Sequence, residues 1–89
     1  MITLELEIIN KLGLHARAAA KLVKLSSSFE SSLEIEKNGQ RVNSKSIMGV
    51  MMLAASCGST VTITADGIDE DKALKAVADL INRRFDEEE

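Results

Sequence analysis

His15 is the only histidine among 89 residues, and Arg17 follows it by two positions. The alanine-rich run over residues 16–20 favours a helix that begins immediately after His15. A helix N-terminus offers unpaired backbone N–H groups and the positive end of the helix dipole, and both favour a bound anion. Because a neutral imidazole is a good nucleophile, a histidine in this position, with an arginine beside it, could carry a phosphoryl group. The alternative is an ordinary surface or core histidine, with Arg17 as a solvated helix residue.

The other reactive side chains indicate no second site. One histidine and one cysteine, Cys57, stand far apart, so we expect no metal centre and no cofactor. A single cysteine also forms no disulfide within the chain. It is more typical of a buried or loop residue, although a nucleophile pair of Cys57 with His15 stays open at this point. No glycine-rich phosphate loop is present, so the chain is not expected to bind ATP.

The hydrophobic pattern predicts the elements that must position His15. Residues 2–8 and 60–65 alternate apolar and polar side chains as half-buried strands do, and Asn38-Gly39 is a strong hairpin signal. The predicted elements are strand 2–8, helix 16–27, strands 33–36 and 41–43, helix 47–53, strand 60–65 and a last helix capped by Asp69. This β-α-β-β-α-β-α order predicts an α+β fold but leaves the topology open, because a ferredoxin-like split βαβ arrangement begins with the same elements.

The second predicted helix is short and apolar on all sides. Ser46 precedes it, and its hydroxyl is expected to act as the N-cap. Ile47, Met48, Met51 and Met52 cannot all be buried on two turns of helix, so some should be exposed. Exposed methionines are typical of adaptable docking surfaces, whereas a loosely packed core is the alternative.

Two motifs identify a family resemblance. Gly-Leu-His-Ala-Arg at residues 13–17 and Ser-Lys-Ser-Ile-Met-Gly-Val-Met at residues 44–51 resemble the two signatures of HPr, the histidine-containing phosphocarrier of the bacterial phosphotransferase system. The spacing between them matches, and the similarity covers essentially the whole chain. The HPr-like proteins that the chain resembles include the nitrogen-related members of the family. One departure is Ala18, where the family usually has proline. The resemblance implies an open-faced two-layer sandwich with a four-stranded antiparallel sheet in the order 1-4-2-3 and three helices on one face.

The resemblance also implies a function. His15 would accept a phosphoryl group from phosphoenolpyruvate-dependent Enzyme I and pass it to an enzyme IIA-type acceptor, so the chain would be a co-substrate and not an enzyme. The backbone N–H groups of Ala16 and Arg17, with the Arg17 guanidinium, would stabilise the phosphate. Ser46 would be a regulatory phosphorylation site for an HPr kinase/phosphorylase. The docking residues would be Ala20, Lys24, Ile47, Met48, Met51 and Met52.

The alternative is a regulatory binding module of the same fold that acts through protein contacts. Whether the pathway serves sugar transport or nitrogen regulation stays open.

Composition sets the remaining expectations. The net charge is −3, but residues 1–45 carry seven Lys and Arg against five Asp and Glu. This weakly basic half suits an anionic group or an acidic protein partner, and two aromatic residues are too few for a nucleic-acid surface. No stretch is long and apolar enough for membrane insertion. We expect one domain over residues 1–89, a monomer in the cytoplasm, with residues 86–89 as a frayed acidic tail.

Overall fold

The computed structural model describes residues 1–88, and within them it forms four strands, three helices and one 3-10 turn. In chain order these are β1 (Ile2–Glu7), α1 (Ala16–Ser27), β2 (Ser32–Lys37), β3 (Gln40–Asn43), α2 (Ile47–Met52), β4 (Thr60–Asp66), α3 (Glu70–Asn82) and the turn Arg84–Asp86. The predicted order of elements is confirmed, and their bounds differ from the predicted ones by only one or two residues. Among the described helices, none combines the length and the hydropathy that crossing a membrane requires.

The sheet has the order β1-β4-β2-β3, and every neighbouring pair is antiparallel. Ile63 in β4 lies opposite Leu4 of β1 on one side and Ile35 of β2 on the other. The two central strands are therefore β4 and β2, and β1 is at an edge. This confirms the HPr-like order and excludes the split βαβ arrangement, in which the first strand is central.

The core lies between the central strands and the helices. Alternate residues of β2 and β4 are buried because only one face of the sheet is covered. The fully buried large side chains of this core include Ile8, Leu22, Leu33, Ile35, Val50, Val61, Ile63, Val77, Ile81 and Phe85. As the composition indicates, the core is aliphatic except for one phenylalanine.

Two local predictions were wrong. Strand β1 was expected to have one buried face, but Leu4 is 39% exposed and Leu6 is only half-buried, because the strand lies at the sheet edge. Asp69 precedes α3, but its side chain does not cap that helix. It accepts hydrogen bonds from the N–H groups of Glu30, at 3.0 Å, and Ser31, at 2.9 Å, and from the Ser31 hydroxyl. Asp69 therefore joins the α1–β2 connection to the start of α3.

Candidate functional site

Backbone hydrogen bonds fix the loop that places His15 immediately before α1. Gly13 N–H donates to the carbonyl of Asn10 at 3.1 Å, and Leu14 N–H donates to the carbonyl of Ala55 at 2.8 Å. Gly13 has a left-handed φ of +65°, and a Cβ there would lie 2.5 Å from the Ala55 oxygen. Only glycine permits both this conformation and this close approach. The connection after α2 therefore fixes the point at which the chain enters α1.

The backbone of His15 forms the N-cap of α1. Its φ of −75° and ψ of 179° are extended, and its carbonyl accepts the first helical hydrogen bond from Ala19 N–H at 2.8 Å. The N–H groups of residues 16–18 therefore precede the first hydrogen bond of the helix. The His15 ring does not cap the helix, so it is available for other contacts. The predicted helix start after the histidine is confirmed.

The imidazole ring is bound by the C-terminal segment of the chain. Nε2 of His15 contacts Oε2 of Glu87, and Oε1 of Glu87 accepts from Nδ2 of Asn10 at 2.9 Å. The Glu87 side chain is only 14% exposed. The prediction of a frayed, solvated tail over residues 86–89 was therefore wrong for Glu87. Glu89 lies outside the described residues.

An irregular turn brings Glu87 back to the histidine. Arg84, Phe85 and Asp86 have φ of 58°, 54° and 62°, in the left-handed region that costs L-residues roughly 1–2 kcal/mol each. The turn persists because Phe85 is fully buried in the core, and Nζ of Lys21 donates to its carbonyl at 2.7 Å. Asp86 also accepts from Nε of Arg83 at 3.0 Å. The segment is thus anchored on both sides of the turn.

The surroundings of Glu87 keep it ionised. The hydrogen bond from Asn10 is the main cause that lowers the pKa of Glu87 below its ordinary value of 4.5, and partial burial opposes it. The hydrogen bond from His15, the charge of its ring in the protonated form and the positive charge of Lys21 lower this pKa further. At neutral pH Glu87 is therefore a carboxylate, which accepts hydrogen bonds and donates none.

Arg17 lies beside the histidine on the first turn of α1. Its side chain is exposed, and among the described residues it has neither an ion pair nor a hydrogen-bonding partner. It lines a cleft of about 450 Å³ that also takes in the charged side chains of Lys11, Lys21, Asp86, Glu87 and Glu88. A guanidinium in this position can bind an anion bidentately. The structure therefore brings together the ring of His15, the start of α1 and a cation.

An apolar surface lies on α2, which packs beside α1. Ser46 is confirmed as the N-cap of α2, because its Oγ accepts from Gly49 N–H at 3.2 Å. Val50 is the only residue of α2 that is buried. We define the α2 surface as the exposed side chains of Ile47, Met48, Met51 and Met52. The prediction that some of these four are exposed is confirmed, and none of them is part of the core.

Comparison with known proteins agrees with this arrangement. A family model described as the PTS HPr component phosphorylation site matches residues 2–83. This chain belongs to the HPr family. A phosphocarrier protein HPr from Cupriavidus necator is 55% identical over 89 residues, which is the full length of both chains. The crystal structure of HPr-C-His from Thermoanaerobacter tengcongensis has a TM-score of 0.97 and 48% identity, with complete coverage of both chains.

A second HPr structure bears on the oligomeric state. The crystal structure of an HPr dimer from Thermoanaerobacter tengcongensis has a TM-score of 0.79 and 48% identity, and covers 98% of this chain and all of its own. A dimeric relative does not make this chain a dimer. That the chain is a monomer stays a prediction.

The other candidate residues named from the sequence are Ala20, Lys24 and Cys57. Ala20 and Lys24 are exposed on α1, one and two turns beyond His15. Cys57 is exposed in the loop before β4, and its Sγ is 3.9 Å from the carbonyl oxygen of Ile9. Within residues 1–88 no hydrogen bond joins Cys57 to His15, and no group of three or more potential metal ligands is found.

Four residues of the candidate site were not predicted from the sequence. They are Asn10 and Glu87, which bind each other, Lys21, which holds the C-terminal turn, and Leu12, an exposed leucine beside the cleft. For the C-terminal segment a signal was present. Phe85 is an isolated large apolar residue after two arginines, and its burial requires the chain to fold back. Nothing in the local pattern indicated that the next carboxylate would reach His15.

Proposed function

We propose that this HPr-family phosphocarrier accepts a phosphoryl group on Nδ1 of His15 from phosphoenolpyruvate-dependent Enzyme I and passes it to an enzyme IIA-type acceptor. The observation that carries the proposal is the position of the one histidine at the N-cap of α1, with the exposed Arg17 beside it. Nδ1 is favoured by the family resemblance and by the contact of Nε2 with Glu87, which leaves Nδ1 as the available ring nitrogen. The proposed setting is the cytoplasm.

Transfer to His15 needs a nucleophile and a place for the phosphoryl oxygens. The lone pair of Nδ1 attacks phosphorus, a nitrogen–phosphorus bond forms, and the bond to the donor breaks. The N–H groups of Ala16 and Arg17 and the Arg17 guanidinium then bind the phosphoryl oxygens. Each such charge-assisted hydrogen bond contributes roughly 1.5–3 kcal/mol, and the helix dipole adds about 0.3–1 kcal/mol. These energies order the phosphoryl group and still permit its release to an acceptor.

The α2 surface is the proposed docking site for both partners. Its exposed methionines can adapt to two different protein surfaces. Leu12 and the exposed α1 residues Ala20 and Lys24 extend this surface past His15. In this position Ser46 lies within the docking surface, where phosphorylation by an HPr kinase/phosphorylase would add roughly −1.5 to −2 charges.

The test is incubation of the purified chain with Enzyme I and phosphoenolpyruvate labelled on phosphorus. We expect a label that is released by acid and kept in base, as a phosphohistidine requires, and no label on His15→Ala. Cys57→Ser is the matched control, because it removes the other nucleophile, and it should be labelled at the wild-type rate. Transfer of the label to a IIA-type protein tests the second half.

An acid-stable label, or a label retained by His15→Ala, contradicts phosphorylation at His15. A correctly folded wild-type chain that takes up no label indicates instead the alternative of a regulatory binding module.

A further inference from the structure

The side-chain carboxylate of Glu87 is held at His15 by contacts on both of its sides. Phe85 is buried in the core, Lys21 binds the Phe85 carbonyl, and the three left-handed residues before Glu87 direct it to the ring. On the other side, Asn10 is fully buried, and its Nδ2 donates both to Glu87 Oε1 at 2.9 Å and to the Gly13 carbonyl at 2.8 Å. Glu87 is therefore positioned by the fold at the ring of His15.

This geometry decides which nitrogen of His15 carries the proton in the neutral ring. The Glu87 carboxylate only accepts hydrogen bonds, so the Nε2 that contacts it must be the protonated nitrogen. The orientation of the Asn10 amide follows in the same way, because a rotated amide would direct its oxygen at two acceptors. The neutral ring is thus the Nε2–H tautomer, and the lone pair is on Nδ1.

We propose that Glu87 is a positioning residue for phosphoryl transfer, which keeps the proton on Nε2 of His15 through both halves of the cycle. This inference rests on the function proposed above. When Nδ1 attacks phosphorus, the ring keeps its Nε2 proton and acquires a positive charge, which the Glu87 carboxylate stabilises. When the acceptor takes the phosphoryl group, the nitrogen–phosphorus bond breaks and its electron pair returns to Nδ1. The original neutral tautomer is restored, and no proton has to move in either step.

The variant Glu87→Gln tests this role with little change in shape. Glutamine has one acceptor oxygen, but two donors face it, Asn10 Nδ2 and His15 Nε2–H, so it cannot satisfy both. Glu5→Gln is the matched control, because it removes the same charge from an exposed residue of β1 that lies outside the cleft and whose side chain has no hydrogen bond or ion pair among the described residues. Both variants should keep the wild-type circular dichroism spectrum.

The first measurement is the ring tautomer, read from ¹⁵N chemical shifts of His15 in the unphosphorylated protein at a pH where the ring is neutral. We expect the Nε2–H tautomer alone in wild type and Glu5→Gln, and a mixture of tautomers in Glu87→Gln. The second measurement is the rate of phosphoryl uptake from phosphorylated Enzyme I. We expect it to fall at least about tenfold in Glu87→Gln only, because a charge-assisted hydrogen bond supplies a factor of roughly 10 to 150.

Each outcome separates this inference from the proposed function. If wild type is labelled and Glu87→Gln takes up label as fast as Glu5→Gln, the role of Glu87 is overturned while the carrier function stands. An unchanged tautomer in Glu87→Gln overturns it equally. If wild type takes up no label, the proposed function fails first, although the tautomer measurement still reports whether Glu87 holds the ring.

Discussion

Ser46→Asp separates the structural role of Ser46 from its place in the docking surface. The serine Oγ accepts from Gly49 N–H at 3.2 Å, and aspartate is as good an N-cap. Its charge also suits the positive end of the helix. The free energy of unfolding should therefore stay within about 0.5–1 kcal/mol of wild type. Ser46→Ala loses the cap and should cost about 1 kcal/mol, which lowers the Tm of a domain of this size by roughly 4–8 °C.

The effect on phosphoryl uptake comes from charge. Ser46 is exposed at the start of the α2 surface, where an acidic partner would approach it. In water, one added negative charge about 10 Å from a partner carboxylate costs about 0.4 kcal/mol. Three such carboxylates together cost about 1.2 kcal/mol, and this slows association roughly five- to tenfold. The effect should shrink strongly as the ionic strength rises from about 0.05 M to 0.5 M, because the Debye length then falls well below 10 Å.

The assay measures initial rates of label uptake from phosphorylated Enzyme I at low and high salt, for wild type, Ser46→Asp and Ser46→Ala. Urea unfolding of the same three proteins gives their stabilities. We expect a stable aspartate variant whose uptake is slow at low salt and recovers at high salt, and an alanine variant with the reverse pattern of a lower stability and normal uptake. Equal rates for all three proteins at low salt would remove Ser46 from the docking surface.

Three further predictions concern other parts of the molecule. Gly13→Ala should destabilise the fold by about 2 kcal/mol or more, seen in urea unfolding, because its Cβ would lie 2.5 Å from the Ala55 carbonyl and the residue has a positive φ. Hydrogen bonds hold the pKa of Asp69 at about 2, below its ordinary 3.8. Its ionised form therefore stabilises the fold at higher pH, and this contribution is lost as the pH falls toward 2. Asp69→Asn should then be less stable than wild type at pH 7, with a difference that shrinks on acidification, and a constant difference would contradict this account. Met48→Ser should raise the KM for Enzyme I and change the free energy of unfolding by less than about 0.5 kcal/mol. Ile68→Ser is the control, because Ile68 is also exposed but follows the end of β4 that lies away from α2, and it should leave the KM unchanged.

The elements were predictable because they depend on short-range patterns. The alternation in β4, the Asn38-Gly39 turn and the capping serine at residue 46 each depend on a few neighbouring residues. The start of α1 immediately after His15 was predictable for the same reason. Strand order is a different matter, because the same order of elements suits two topologies, and only the family resemblance pointed to the correct one.

Long-range contacts decided the rest. The edge position of β1 exposes Leu4 although its alternation resembles that of a half-buried strand. Asp69 has the residue type and the place of a helix cap, yet its carboxylate binds a loop 38 positions away in the chain. In both cases the folded chain outweighed the local preference, because β1 has a neighbouring strand on one side only and Asp69 gains hydrogen bonds from distant residues.

The sequence by itself predicted His15 as the candidate nucleophile, the helix that begins immediately after it and the arginine beside it, because all three lie within a few residues of one another. Only the tertiary structure placed a carboxylate against Nε2 of His15, the contact from which we infer the tautomer of the ring. This contact depends on Glu87, 72 positions away, and on Asn10 and the buried Phe85 that hold it there. A carboxylate near the end of a chain shows no local sign of its partner, because its position follows from the burial of a neighbour and not from its own residue type.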